Sequence, residues 1–319
     1  MYIEQAQRNL TDWWRYLIGT LITMAGVIIF SMPHSFALIA EIAKGNVDMD
    51  KIANNDVAYI MSLFESNLNF FFVLLPFMGG LLFLLFIVVK YLHKQSILNL
   101  TTSRSSIDWN RIFLAFFLWG IISTIMTLVG IEMSPEDYLW NFELERFLLL
   151  AIIAICLVPI QTSFEEYMFR GYLMQGLGNI FKNRFLPLIL TSVGFGLLHY
   201  ANPEIDKLGN ILMVYYIGTG FFLGVITLMD EGMELALGFH AANNLFTALL
   251  VTAYCTAFQT YSIYKDISDP TSMSNSEIIL PVLIIFPTLI IIFSKIYNWS
   301  NWYERLAGPV RDLSTTDEK

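Results

Sequence analysis

Ser163-Phe164-Glu165-Glu166-Tyr167-Met168-Phe169-Arg170-Gly171 is the stretch on which the reading of this chain turns. It follows an apolar run, Phe147 to Ile160, and leads into another apolar-rich stretch, Tyr172 to Phe181. Two adjacent carboxylates and a guanidinium therefore fall in or beside a membrane. A charge at that depth costs about 3 kcal/mol or more, so an ionisable residue there is read first as part of a functional site.

Composition supports the membrane setting. The 319 residues are 56% hydrophobic, 15% aromatic and 14% charged, with a mean hydropathy of +0.59. A soluble domain carries about 25% charged residues. The net charge of −9 gathers in loops, as in Glu41, Asp48, Asp50, Asp56 and Glu65 and again in Glu132, Glu136, Asp137, Glu143 and Glu145. Nothing signals nucleic-acid binding, and no internal repeat is visible. Cys156 and Cys255 both lie in apolar surroundings and read as buried, inert thiols rather than a disulfide framework.

A spanning helix needs about 20 mostly apolar residues. Eight stretches qualify: about 16–36, 70–89, 112–131, 147–164 with an extension, 185–200, 210–229, 235–254 and 278–297. The fold class is therefore all-α and polytopic. The first helix is expected to end near Pro33 and His34, and Gly79-Gly80 marks a close contact in the second. The tail from Asp312 reads as disordered. Of the 18 Lys and Arg residues, an inward N-terminus puts 13 inside and 5 outside, which predicts a multi-pass protein with both termini in the cytosol. His34 and His93 lie near membrane ends and are expected to be solvated. Trp13, Trp14, Trp299 and Trp302 are expected to be interfacial anchors.

The second half holds three polar patterns: Glu165-Glu166-x-x-x-Arg170, Phe195-x-x-x-His199 and His240-x-x-x-Asn244. Residues four apart share a helix face, so Glu166 pairs with Arg170 and His240 with Asn244. Glu165 lies about 100° around the helix from Glu166, which predicts different tasks for the two carboxylates, and Asn243 is expected to pack elsewhere. If the fourth helix continues to the basic turn at Lys182 and Arg184, Glu165 lies about 25 Å from Lys182 and His199 about 22 Å from Arg184. The three patterns then reach overlapping depths. If that helix stopped at Ser163, they would not. Pro159 is a candidate kink.

These three patterns, in this order on successive membrane helices, resemble the CPBP family of CAAX proteases and bacteriocin-processing enzymes, also called the ABI family, which includes type II CAAX prenyl endopeptidases. The resemblance covers about residues 145–255, helices four to seven. It leaves 1–144 as three N-terminal helices and 256–319 as an outer loop, an eighth helix and a cytosolic tail. It implies a conical helical core around a water-accessible cavity and an intramembrane endopeptidase. Glu165 would be the general base, taking a proton from an attacking water. His199 would hold the same water. His240 and Asn244 would donate hydrogen bonds to the oxyanion. Glu166, Arg170 and Phe195 would support them. The implied partners are the lipid bilayer and a membrane-associated peptide or protein, lipidated in the CAAX case.

No cofactor is favoured. A divalent metal such as zinc on Glu165, His199 and His240 is the alternative, although the His-Glu-x-x-His helix of many zinc peptidases is missing. Two further alternatives are a non-proteolytic scaffold or bacteriocin-immunity factor of the same family, and a proton-coupled transporter whose buried Glu165, His199 and His240 form a pathway. A transporter calls for polar residues along a continuous path, whereas these cluster.

Overall fold

A computed structural model describes residues 1–45, 47–54, 57–253, 256, 259–269 and 274–313. Its main helices are α1 (Trp13–Ala43), α2 (Ser66–Leu92), α3 (Trp109–Met133), α4 (Leu144–Phe181), α5 (Phe185–Leu198), α6 (Leu212–Asp230), α7 (Glu234–Leu250) and α8 (Asn275–Ile296). The fold is an all-α polytopic membrane fold. Among the described residues, α1, α2, α3, α4, α6 and α8 are long and apolar enough to cross a bilayer. Helices α5 and α7 occupy the places expected for two more spans but are shorter. Leu, Ile, Phe and Met project from the exposed faces of α1 and α3, as lipid-facing positions require.

Helix α4 runs unbroken through Glu165 and Glu166 to Phe181. Its turns widen to π type over Tyr167–Leu173, directly after the glutamates. Such segments are common at functional sites. Glycine contacts set the spacing between neighbouring helices. A Cβ on Gly79 of α2 would lie 2.4 Å from the Gly26 carbonyl of α1, so the contact foreseen at Gly79-Gly80 is a backbone approach. A Cβ on Gly220 of α6 would lie 2.3 Å from the Ser192 carbonyl of α5, and α5 and α6 pack together along that line.

Helix α1 does not end at Pro33 but continues to Ala43. The Ser31 hydroxyl donates to the Ile28 carbonyl at 2.7 Å, beside the turn whose amide hydrogen bond the proline removes. In a membrane helix a proline interruption is absorbed in this way. Helix α7 stops at Leu250, short of the expected 254, because the chain turns extended there. Strands β1 (Tyr138–Trp140), β2 (Val251–Ala253) and β3 (Tyr264–Asp266) form a small sheet, ordered β1-β3-β2. β1 and β3 run antiparallel with Leu139 opposite Lys265, and β2 lies parallel to β3.

The opposite end of the bundle is tied by buried charge. Arg104 and Arg111 both pair with Asp230, and Arg104 also reaches Glu234. Trp299 is buried rather than interfacial, donating its indole N–H to Asp230 at 3.1 Å. Ile3, Glu4, Gln5 and Ala6 of the segment Ile3–Arg8 are buried, packed against the end of α4. The Tyr2 hydroxyl lies 2.7 Å from the Leu100 carbonyl and 3.0 Å from the Arg170 carbonyl and shares its one proton between them. His93 is likewise buried, between the Leu10 carbonyl and the Tyr172 hydroxyl; His34 is half-buried against Phe64 and Phe72. Cys156 is exposed on the outer face of α4, while Cys255 lies outside the described residues. In the tail, the Leu313 amide donates to Gln7 at 2.9 Å, so order extends past Asp312; residues 314–319 lie outside the description.

Candidate active site

Helices α4 and α7 face each other across the centre of the site, and α5 and α6 close one side. On α4, two i,i+4 pairs run along the helix. The Gln161 side-chain amide donates to Glu165 Oε1 at 2.6 Å, and Arg170 Nη1 donates to Glu166 Oε1 at 2.9 Å. The Arg170–Glu166 pair is wholly buried. A second guanidinium nitrogen donates to the Gly220 carbonyl at 3.2 Å, and the guanidinium lies 4.2 Å from the centre of the Phe195 ring. The charge is thus held by a carboxylate, a carbonyl and a π face, as a buried cation requires.

His240 sits between the two glutamates. Its Nδ1 is 2.7 Å from Glu166 Oε1, and its Nε2 is 3.4 Å from Glu165 Oε2. Glu165 and Glu166 leave the helix in different directions, as the 100° offset requires, yet they meet the same imidazole on its two nitrogens. A carboxylate accepts, so Nδ1 carries the proton in the Glu166 bond. Glu166 therefore fixes the ring, and Nε2 faces the other carboxylate. For Nε2 to donate as well, the ring must carry both protons, as a cation set between two glutamates.

Asn244 lies one turn along α7 from His240. One N–H of its amide donates to Gln161 Oε1 at 3.0 Å, and an amide nitrogen has two. Its neighbour Asn243, expected to pack elsewhere, donates to Asn244 Oδ1 at 3.1 Å and accepts from the Trp119 indole at 3.0 Å.

His199 stands apart from this group. It follows the last residue of α5, in the tight turn His199–Ala201, and its Nδ1 is 2.9 Å from the Phe195 carbonyl. A carbonyl only accepts, so Nε2 of the neutral ring holds the free lone pair. The ring stacks on Tyr216 at 4.3 Å, and the Tyr216 hydroxyl donates to Glu204 at 2.5 Å. Among the described residues His199 makes no hydrogen bond to Glu165 or His240. The Phe195 ring connects them, 4.9 Å from His199 and 5.8 Å from His240.

Among the described residues, no three His, Cys, Asp or Glu side chains are grouped to hold a metal ion. The Glu165, His199 and His240 set does not fit a metal here, since His199 is not drawn in with the other two. Sequence reasoning passed over Gln161, Trp119, Tyr216 and Glu204. Gln161 was within reach, being a lone amide four residues before Glu165 on the same face.

Comparison with known proteins gives the family. The family model for type II CAAX prenyl endopeptidase Rce1-like proteins matches residues 144–246, which spans α4 to most of α7. An uncharacterized protein of Bacillus subtilis (strain 168), YyaK, is 30% identical over 256 residues, covering 79% of this chain and 82% of its own length. The chain belongs to the Rce1-like, CPBP-type family. That is a family of CAAX-type intramembrane proteases, so the setting is a lipid bilayer and the implied substrates are peptides. No solved structure matches the chain.

Proposed function

We propose that this protein is an endopeptidase that hydrolyses a peptide bond within the membrane by means of a glutamate-activated water. The observation that carries this reading is the state of Glu165. Gln161 holds its Oε1, while its Oε2 is buried, has no hydrogen-bond partner and faces His240 Nε2. A buried carboxylate oxygen with unspent lone pairs is placed to take a proton from a water that reaches it. The water would add to the substrate carbonyl as Glu165 takes its proton, and His199 would share that water once a movement at the end of α5 brings its Nε2 towards Glu165. His240 and the second N–H of Asn244 would donate to the oxyanion, and the proton on Glu165 would then pass to the leaving amine. An oxyanion donor of this kind is worth about 3 kcal/mol. Substrates would be the C-terminal tail of a lipidated protein or a membrane-associated peptide awaiting maturation. Both termini would face the cytosol.

The test is cleavage of fluorogenic peptides, prenylated and not, by purified protein in detergent, with wild type beside Glu165→Ala and His240→Ala and with chelator present or absent. Cleavage that vanishes in both variants and survives chelator supports the reading. Equal cleavage by all three proteins overturns the site, and sensitivity to chelator overturns the metal-free chemistry.

A further inference from the structure

Four hydrogen bonds run in one direction towards Glu165. The Trp119 indole donates to Asn243 Oδ1 (3.0 Å), Asn243 Nδ2 to Asn244 Oδ1 (3.1 Å), Asn244 Nδ2 to Gln161 Oε1 (3.0 Å), and Gln161 Nε2 to Glu165 Oε1 (2.6 Å). The direction is fixed at both ends. An indole N–H only donates, and an ionised carboxylate only accepts. Each amide between them has one orientation that serves both neighbours, and flipping any one would set two donors or two acceptors face to face. The row crosses three helices, from α3 through α7 to α4. Trp119 and Gln161 are buried, where such bonds polarise one another and leaving one unmade is costly. Trp119 is itself held against Phe239 at 4.6 Å.

We propose that Gln161 is a positioning residue for Glu165, and that Trp119 and Asn243 hold Gln161 in its working orientation through Asn244. This rests on Glu165 being the base of the reaction proposed above. The relay occupies Oε1 and so assigns Oε2, the oxygen facing His240, as the one that meets the water. It also gives Asn244 a second task beside the oxyanion, and gives α3, which lies outside the region matched by the family model, a hand in the chemistry.

The test reads Glu165 directly. The full chain is purified in detergent, and the carboxylate stretch of Glu165 is isolated by infrared difference against Glu165→Gln. The same difference is taken in Gln161→Met and Trp119→Phe backgrounds. Gln161→Met should displace the band, and Trp119→Phe, which keeps an aromatic ring in place, should displace it less and in the same sense. In the cleavage assay Gln161→Met should lower kcat about ten- to a hundredfold with KM little changed. A band that stays put in both backgrounds overturns the relay, whatever the cleavage assay gives. If Gln161→Met fails to fold, Trp119→Phe alone decides. A displaced band in a protein that cleaves no peptide keeps the relay and removes the peptidase.

Discussion

Two of the buried polar clusters among the described residues are built on opposite plans. At the end that holds Tyr2, Asp230 takes Arg104, Arg111 and Trp299, and Glu234 takes Arg104. Each carboxylate oxygen of Asp230 and Glu234 has a partner there, so the acceptors are spent. In the middle of the bundle two glutamates share one arginine and one histidine. Of the six buried side-chain atoms without a hydrogen-bond partner among the described residues, three belong to Glu165, Glu166 and Arg170, and none to the Arg104–Asp230 cluster. The cluster at Asp230 has used up its hydrogen-bonding capacity, whereas the one at Glu165 keeps some back, and each buried atom left unpartnered calls for a reason.

Substitutions can break or sharpen this contrast. The largest effect belongs to Glu165→Ala, which should slow peptide cleavage about 100- to 10,000-fold while leaving the melting temperature in detergent little changed. Arg170→Met comes next. It strands Glu166 in the core and should cost about 3–5 kcal/mol in denaturant unfolding, with the double change Glu166→Gln, Arg170→Met less damaging than the single. Asp230→Asn should cost about 1–3 kcal/mol yet leave kcat per folded molecule as it was; a fall in kcat would erase the distinction between the clusters. Gly220→Ala forces a Cβ onto the Ser192 carbonyl and should cost about 1–3 kcal/mol by spreading α5 from α6.

The smallest effect is titration of His93. Burial, with a smaller push from Arg15, pulls its pKa below the ordinary value of 6.5. The unfolded chain then binds the proton more readily than the folded one. Its contribution to stability is present above about pH 6.5 and is lost as the pH falls below that value. Melting temperature should decline with acidification more steeply in wild type than in His93→Gln.

Much of the site was legible in the sequence because membranes make polar residues conspicuous. Glu165, Arg170, His240 and Asn244 stand out from apolar runs, and four-residue spacing anticipates the Glu166–Arg170 ion pair. The continuous α4 followed from the requirement that Glu165 and His199 reach similar depths. What was not legible depends on contacts between distant segments. Met1 to Asp12 is polar in composition, yet Tyr2 to Ala6 are buried because Glu4 finds Arg184 and Tyr2 finds two carbonyls. His93 and Trp299 read as surface residues because their partners, Tyr172 and Asp230, lie far along the chain. Pro33 reads as a stop because its local cost is visible while the lipid environment that sustains the helix is not. The approach of both glutamates to one imidazole needs the crossing of α4 and α7, which spacing within either helix does not contain.

The widened turns at Tyr167–Leu173 bear on how this protein can change over time. A π turn closes its hydrogen bonds over five residues where an α turn uses four. An extra residue is thus taken up within the turn, and the helix on either side keeps its facing. Removing one residue there would restore regular α geometry with Glu165 and Glu166 on one side and Gln175 and Asn179 on the other still turned towards their partners; the same deletion in a regular stretch of α4 would turn everything beyond it by about 100°. Related sequences that keep this site should therefore tolerate a one-residue change of length in that stretch better than elsewhere in the helix.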